Sequence, residues 1–205
     1  MFANVADPVG NGVVASLARP GTNITGFSAY EDSIAGKWLE VLKEIAPHVT
    51  RVGYVFGARE EFGPNGELFH LVLQAAAPSL PVELVALRIR SAGEIARAIE
   101  RFSAIPNGGL IAGAEAGAMR NRAIIIAAAS RHRLPAIYPF RFCAVDGGLA
   151  VYGADMNDQY RRAGSYVDRI LKGVSPSELP VQAPDKYELI INLRLRRPRA
   201  SRFRR

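Results

Sequence analysis

ADPVGNGVVASLARPGTNITG, residues 6–26, is the stretch that best indicates the fold of this 205-residue chain. An apolar run, Phe2 to Ala6, precedes it with the composition of a β-strand. Asp7 and Pro8 suit the N-cap and the first position of a helix, so the pattern predicts a helix that ends before Pro20. A strand that ends in an acidic residue and leads into a helix is typical of doubly wound α/β domains. Because this unit normally lies inside such a domain, we expect the chain to be a fragment of a larger fold.

The net charge of +7 belongs to the end of the chain. Residues 194–205 hold seven arginines and no acid, and without them the 26 basic residues fall to 19, equal to the 19 acidic ones. Such a run of like charges is expected to be disordered. The rest of the chain has no basic face, so no nucleic-acid partner is expected.

Metal, cofactor and catalytic motifs are weak. Cys143 is the single cysteine, and His48, His70 and His132 are scattered without metal-ligand spacing, so no metal or cofactor is expected. Residues 10–15 match a dinucleotide fingerprint, but the predicted helix begins before the glycines. A nucleotide-dependent enzyme of doubly wound fold therefore stays only as an alternative, and no catalysis is expected.

Strand and helix patterns alternate between residues 28 and 140. Four βα units are predicted there, typical of a parallel sheet with helices on both faces. A further strand within Gly148–Gly153 is followed by a helix capped by Asp155 and ended by Gly173, and then by an extended piece, Tyr187–Leu193.

Seven ordered blocks over about 190 residues carry a family resemblance: DPV…SLARPGTNITGFS, KWLEVLKEIAP, RVGYVF, LPAIYPF, GGLAVYG, AGSYVDRILKG and LPVQAPDKYELIINL. Together they resemble the ABC transporter substrate-binding protein family, in the branch related to tryptophan- and tyrosine-binding lipoproteins. The resemblance implies a type I periplasmic-binding α/β fold of two lobes and a small ligand, an amino acid or related carboxylate, held in the cleft. It also implies delivery of that ligand to a membrane permease.

The resemblance implies one complete lobe and part of a second. The expected divisions are 1–27 with 145–173 as a remnant of the N-terminal lobe, 28–144 as the C-terminal lobe, 174–193 as a return segment, 194–205 as the basic tail, and hinges near 27–31 and 139–147. Apolar faces of the remnant would be exposed and could allow self-association.

Ligand groups are expected beyond the carboxyl ends of the strands. The candidates at these ends are Asp7, Phe56, Arg59, Ala114, Glu115, Tyr138 and Tyr152. By resemblance, Glu115 corresponds to a position where relatives often carry aspartate, suited to a ligand ammonium group.

Five of these candidates have a structural alternative. Glu115 and Asp7 could cap the helices that follow them. Tyr138 and Tyr152 suit either a cleft wall or the core, and Arg59 suits either a ligand carboxylate or a solvated loop.

The sequence also bears on where in the cell the chain is located and on whether it is a truncated remnant. The resemblance implies the periplasm, but no signal-peptide pattern opens the sequence as written, which would leave the chain in the cytoplasm. No apolar run reaches the length of about 18 residues that a membrane helix needs. A truncated remnant that binds nothing is a further alternative.

Overall fold

The structure is a computed structural model that describes residues 1–31, 33–57 and 65–193. Its strands are β1 (Phe2–Val5), β2 (Gly26–Ser28), β3 (Arg51–Gly57), β4 (Glu83–Ile89), β5 (Gly108–Ala112), β6 (Ala136–Tyr138), β7 (Ala150–Ala154) and β8 (Tyr187–Ile191). Its α-helices are α1 (Ile34–Ile45), α2 (Asn65–Ala76), α3 (Ala92–Ser103), α4 (Ala116–Arg120), α5 (Arg122–Arg131), α6 (Arg141–Val145) and α7 (Met156–Leu171). Short 3₁₀ turns lie at Ala77–Ser79 and Pro176–Glu178. The predicted basic tail, 194–205, lies outside the described residues.

A six-stranded sheet in the order β4-β3-β5-β6-β7-β8 forms the larger part of the molecule. Its strands are parallel except β8, which pairs antiparallel with β7. A Cβ on Gly53 would point at Phe102 of α3, whereas a Cβ on Gly109 would point at Leu42 of α1. Gly109 pairs with Val52, the residue before Gly53, and successive residues of a strand point to opposite faces. The two glycines therefore face opposite sides of the sheet, and α1 and α3 cover opposite faces. The predicted parallel sheet flanked by helices is confirmed.

The core of the large sheet lies between β3, β5 and β6 and these helices. Trp38 of α1 is fully buried, and its Nε1 donates a hydrogen bond of 2.8 Å to the Tyr152 carbonyl in β7. The Trp38 ring packs edge-on against Phe69 of α2, which packs in turn against Tyr30. Trp38 thus links helix α1 to helix α2 and to strand β7.

The helix predicted after Asp7 does not form. The chain makes a single turn in which Asn11 N donates to the Asp7 carbonyl, and Gly12 then adopts a left-handed φ of +69°. Gly12 N donates to the Val9 carbonyl and Val13 N to that of Pro8, which is the bonding of a helix C-terminus. The prediction was wrong because Gly12 ends the helix one turn after it starts, and no helix follows the glycines of the fingerprint-like motif.

The predicted division at residue 145 is also corrected. Strand β7 pairs with β6 and β8 and so belongs to the large sheet. The helix after it, α7, packs on the small parallel sheet formed by β1 and β2. The chain therefore passes from the large sheet to the small one at the β7–α7 junction, because long-range strand pairing rather than local composition decides which sheet β7 joins.

Three chain segments connect the small sheet to the large one: residues 28–30, 154–156 and 182–186. Ser28 N donates 2.9 Å to the Gln182 carbonyl, and Asp155 N donates 2.9 Å to the Lys186 carbonyl. Buried Gln159 of α7 donates 2.8 Å from Nε2 to the Ser28 carbonyl. The first crossing coincides with the predicted hinge, whereas residues 139–147 lie within the large-sheet unit and are not a crossing.

In the described part of the chain, no helix is both long and apolar enough to traverse a membrane.

Candidate functional site

The carboxyl ends of β3 and β5 place one buried acidic side chain between them. Glu115 is 3% exposed, and its Oε1 accepts a hydrogen bond of 3.0 Å from Gly57 N at the end of β3. The other oxygen, Oε2, is buried and has no hydrogen-bond partner among the described residues. An unpaired buried carboxylate oxygen costs about 1–3 kcal/mol, so its retention calls for an explanation.

Gly113 makes room for this carboxyl group. A Cβ at residue 113 would lie 2.2 Å from Glu115 Oε2, far inside van der Waals contact. The Glu115 side chain therefore folds back against the sheet in the space that a larger residue would fill. Gly113 positions the carboxyl group by having no side chain.

The alternative role of Glu115 as a helix cap is not observed. The residue occupies the N-cap position of α4 with extended φ and ψ of −67° and 153°, but its side chain makes no capping hydrogen bond. The carboxylate points at the sheet end instead. Its position is thus decided by the β3–β5 edge and not by the helix.

Burial changes the acidity of this group. Loss of hydration raises the pKa of the Glu115 carboxyl to about 7, while hydrogen bonds from its own backbone N–H and from Gly57 lower it only in part. No basic side chain in the described ranges forms an ion pair with Glu115. A cation brought to Oε2 would supply the missing counter-charge.

Tyr54 is a second buried polar group that the sequence did not reveal. Its hydroxyl is buried and has no hydrogen-bond partner among the described residues. Burial, together with the negative charge of Glu115, raises the pKa of Tyr54 well above its ordinary value. Because Tyr54 stands inside the apolar run RVGYVF, its pattern could not be told from that of a core residue.

Phe56, Ala114 and Tyr138 are buried at or just beyond strand ends of the large sheet. The Phe56 ring stacks on Tyr54 at 4.9 Å and on His70 of α2 at 5.3 Å, which is core packing between β3 and α2. Tyr138 is 1% exposed, and burial raises the pKa of its phenol. The structure brings Phe56, Ala114 and Glu115 to adjacent strand ends, and a ligand contact from each remains a prediction.

Asp7 and Tyr152 do not lie at the ends of β3 and β5, where Glu115 is found. Asp7 follows β1 of the small sheet, and its Oδ1 accepts 2.8 Å from Gly10 N, so it caps its own turn as its alternative predicted. Tyr152 is half-buried on β7 and stacks on Tyr187 of β8 with a centroid distance of 5.9 Å. Arg59 lies outside the described residues.

Comparison with known proteins places this geometry in a context. A family model described as ABC transporter substrate binding protein matches residues 1–197. Among curated proteins, a tyrosine-binding protein of Clostridioides difficile (strain R20291) is 28% identical over 194 residues, covering 92% of this chain and 53% of that protein. The chain thus spans about half the length of this curated relative.

Solved structures agree on the fold. A conserved domain protein from Vibrio cholerae aligns with a TM-score of 0.82 and 26% identity over 95% of this chain and 64% of that one. A Streptococcus pneumoniae ABC domain in complex with L-Trp aligns with a TM-score of 0.79 and 20% identity over 94% and 65% of the two chains. The second likeness shows the fold alone.

Proposed function

Because the chain belongs to the ABC transporter substrate-binding protein family, we propose that it is a solute-binding component that holds a small amine-bearing molecule for delivery to a permease. The observation that carries this proposal is the buried Glu115 carboxyl, with one oxygen held by Gly57 N and the other without a partner in the described part of the chain. An ammonium group offers both the positive charge and the N–H donors that Oε2 lacks.

We propose an amino acid as the ligand, and an aromatic one first. The curated relative is named a tyrosine-binding protein, and at 28% identity it supports this ligand class without deciding it. Asp7, Phe56, Arg59, Ala114, Tyr138 and Tyr152 are proposed as further residues of the ligand region. Periplasmic or extracellular exposure is proposed with the transport role, as is a division into two lobes joined by the three crossing segments.

Thermal unfolding with a panel of solutes tests the proposal. At a ligand concentration of 100 times Kd, a ligand specific for the folded state adds about 2.7 kcal/mol to the free energy of unfolding and raises Tm. We expect L-tyrosine or another aromatic amino acid to raise Tm, and acetate, sugars and NAD to leave it unchanged.

Glu115→Gln tests the role of the buried carboxyl. Its matched control is Glu100→Gln, which replaces an exposed glutamate of α3. Loss of a charged hydrogen-bond partner costs about 1.5–3 kcal/mol, which is roughly a 10- to 150-fold rise in Kd for the Glu115 variant. The Glu100 variant should bind as the wild type does. A cooperative unfolding transition that no solute shifts would contradict the proposal and favour a non-binding remnant.

A further inference from the structure

The environment of Glu115 bears on how a ligand would be taken up, and the inference rests on the proposed function. We infer that the Glu115 carboxyl of the ligand-free protein still carries its proton at mildly acidic pH, and that an incoming ammonium group displaces this proton. The neutral acid, Glu115–COOH, becomes a carboxylate paired with the ligand R–NH₃⁺, and one proton passes to the solvent. Ligand uptake at this site is thus linked to proton release.

The geometry supplies the first support. Glu115 is almost completely buried, Gly57 N is the donor that the structure records from the adjacent strand, and Oε2 faces no donor among the described residues. A carboxylate in such a place lacks most of the hydrogen bonds that stabilise its charge in water. A carboxylic acid avoids that cost and offers an O–H donor instead.

The Tyr54 hydroxyl is the second support. Its oxygen is also buried with no hydrogen-bond partner among the described residues, and the negative charge of Glu115 contributes to the raised pKa of Tyr54, so the two groups interact electrostatically. A phenol oxygen can accept a hydrogen bond from a protonated carboxyl or from an ammonium group. Because neither the Tyr54 hydroxyl nor Glu115 Oε2 has a hydrogen-bond partner among the described residues, both are open to a ligand ammonium group.

Other titratable groups reach this cluster from the elements around it. Tyr30, on the segment before α1, acts electrostatically on Tyr54, and so does Glu67 of α2, which is ion-paired with Arg88. His70 of α2 stacks on the Tyr54 ring at 6.5 Å. In the described ranges none of these residues forms an ion pair with Glu115, and a ligand ammonium group would supply that counter-charge. His70→Gln, which removes the imidazole that stacks on Tyr54, is therefore the control variant.

Calorimetric titration with L-tyrosine in two buffers of different ionisation enthalpy, phosphate and Tris, measures the proton directly. With a carboxyl that titrates at about 7, we expect about 0.9 proton released per ligand at pH 6 and about 0.1 at pH 8. Kd should fall about tenfold between pH 5 and pH 6 and become constant above pH 8. His70→Gln should keep this dependence, and Glu115→Gln should abolish it.

The outcomes separate the two proposals. Binding with the same Kd and no proton release from pH 5 to pH 8 would overturn the inference and leave the solute-binding function standing. Absence of binding of every amino acid would overturn both. Should Glu115→Gln fail to fold, ¹³C-carboxyl NMR of the ligand-free wild type decides the matter. A Glu115 midpoint near neutrality supports the inference, and one near 4.5, the ordinary value, overturns it.

Discussion

Glu115→Gln is expected to raise the free energy of unfolding of the ligand-free protein by about 3 kcal/mol at pH 8.5 and to change it little at pH 4. The folded-state pKa of about 7 exceeds the ordinary value of 4.5. The neutral acid is therefore favoured by folding, and its stabilising contribution is fully present below pH 4.5. That contribution is lost as pH rises to about 7, at about 1.4 kcal/mol per pH unit. Glutamine keeps the shape and carries no charge to lose.

Urea unfolding at pH 4, 5.5, 7 and 8.5 measures this effect. The wild-type free energy should fall between pH 4.5 and 7 relative to that of Glu115→Gln, and the two curves should run parallel above pH 8. Glu100→Gln serves as the control, because it removes an exposed carboxyl from α3. Parallel wild-type and Glu115→Gln curves over the whole range would show that the buried carboxyl is not neutral in the folded protein.

Trp38→Ala is expected to lower the free energy of unfolding by about 3–5 kcal/mol, the usual cost of truncating a large buried aromatic side chain. Trp38 is fully buried, and its ring packs on Phe69 while Nε1 donates to the Tyr152 carbonyl. Alanine would leave a cavity between α1 and the large sheet and would also leave that carbonyl without its donor. Both terms act in the same direction.

Trp38→Phe separates the cost of the cavity from that of the lost hydrogen bond, and Leu71→Ala is the control at an exposed position. Trp38→Phe retains most of the ring but removes the donor, so a loss of about 1–3 kcal/mol is expected. Leu71→Ala removes an apolar side chain that is 61% exposed on α2, and a change within about 0.5 kcal/mol is expected. Chemical denaturation of the three variants checks the order. A Trp38→Ala loss below 1 kcal/mol would mean that Trp38 does not join α1 to β7 in solution.

The βα units of the large sheet could be predicted because each leaves a local signal. RVGYVF is a continuous apolar run of strand length, and residues 92–103 carry apolar side chains at helical spacing. Asp155 caps α7 as predicted, with its side chain accepting from Asp158 N. These signals need only a few neighbouring residues, so the sequence is sufficient to find them.

The parts that failed depend on backbone conformation or distant partners. The turn after Asp7 has helical residue spacing, but the left-handed Gly12 ends it. β7 resembles any buried strand, and only its pairing with β6 and β8 shows which sheet it joins. Glu115 could be proposed from its place after a strand, whereas its burial and its electrostatic interaction with Tyr54, 61 positions earlier in the chain, come from the fold.

The most direct test of amine recognition at Glu115 is a calorimetric comparison of L-tyrosine with its des-amino analogue, 3-(4-hydroxyphenyl)propionate. The two solutes share the ring and the carboxylate and differ in the ammonium group. We expect one saturable site for L-tyrosine and at least a tenfold weaker site for the analogue, with the difference abolished by Glu115→Gln. Equal affinity of the wild type for both solutes would contradict amine recognition by Glu115.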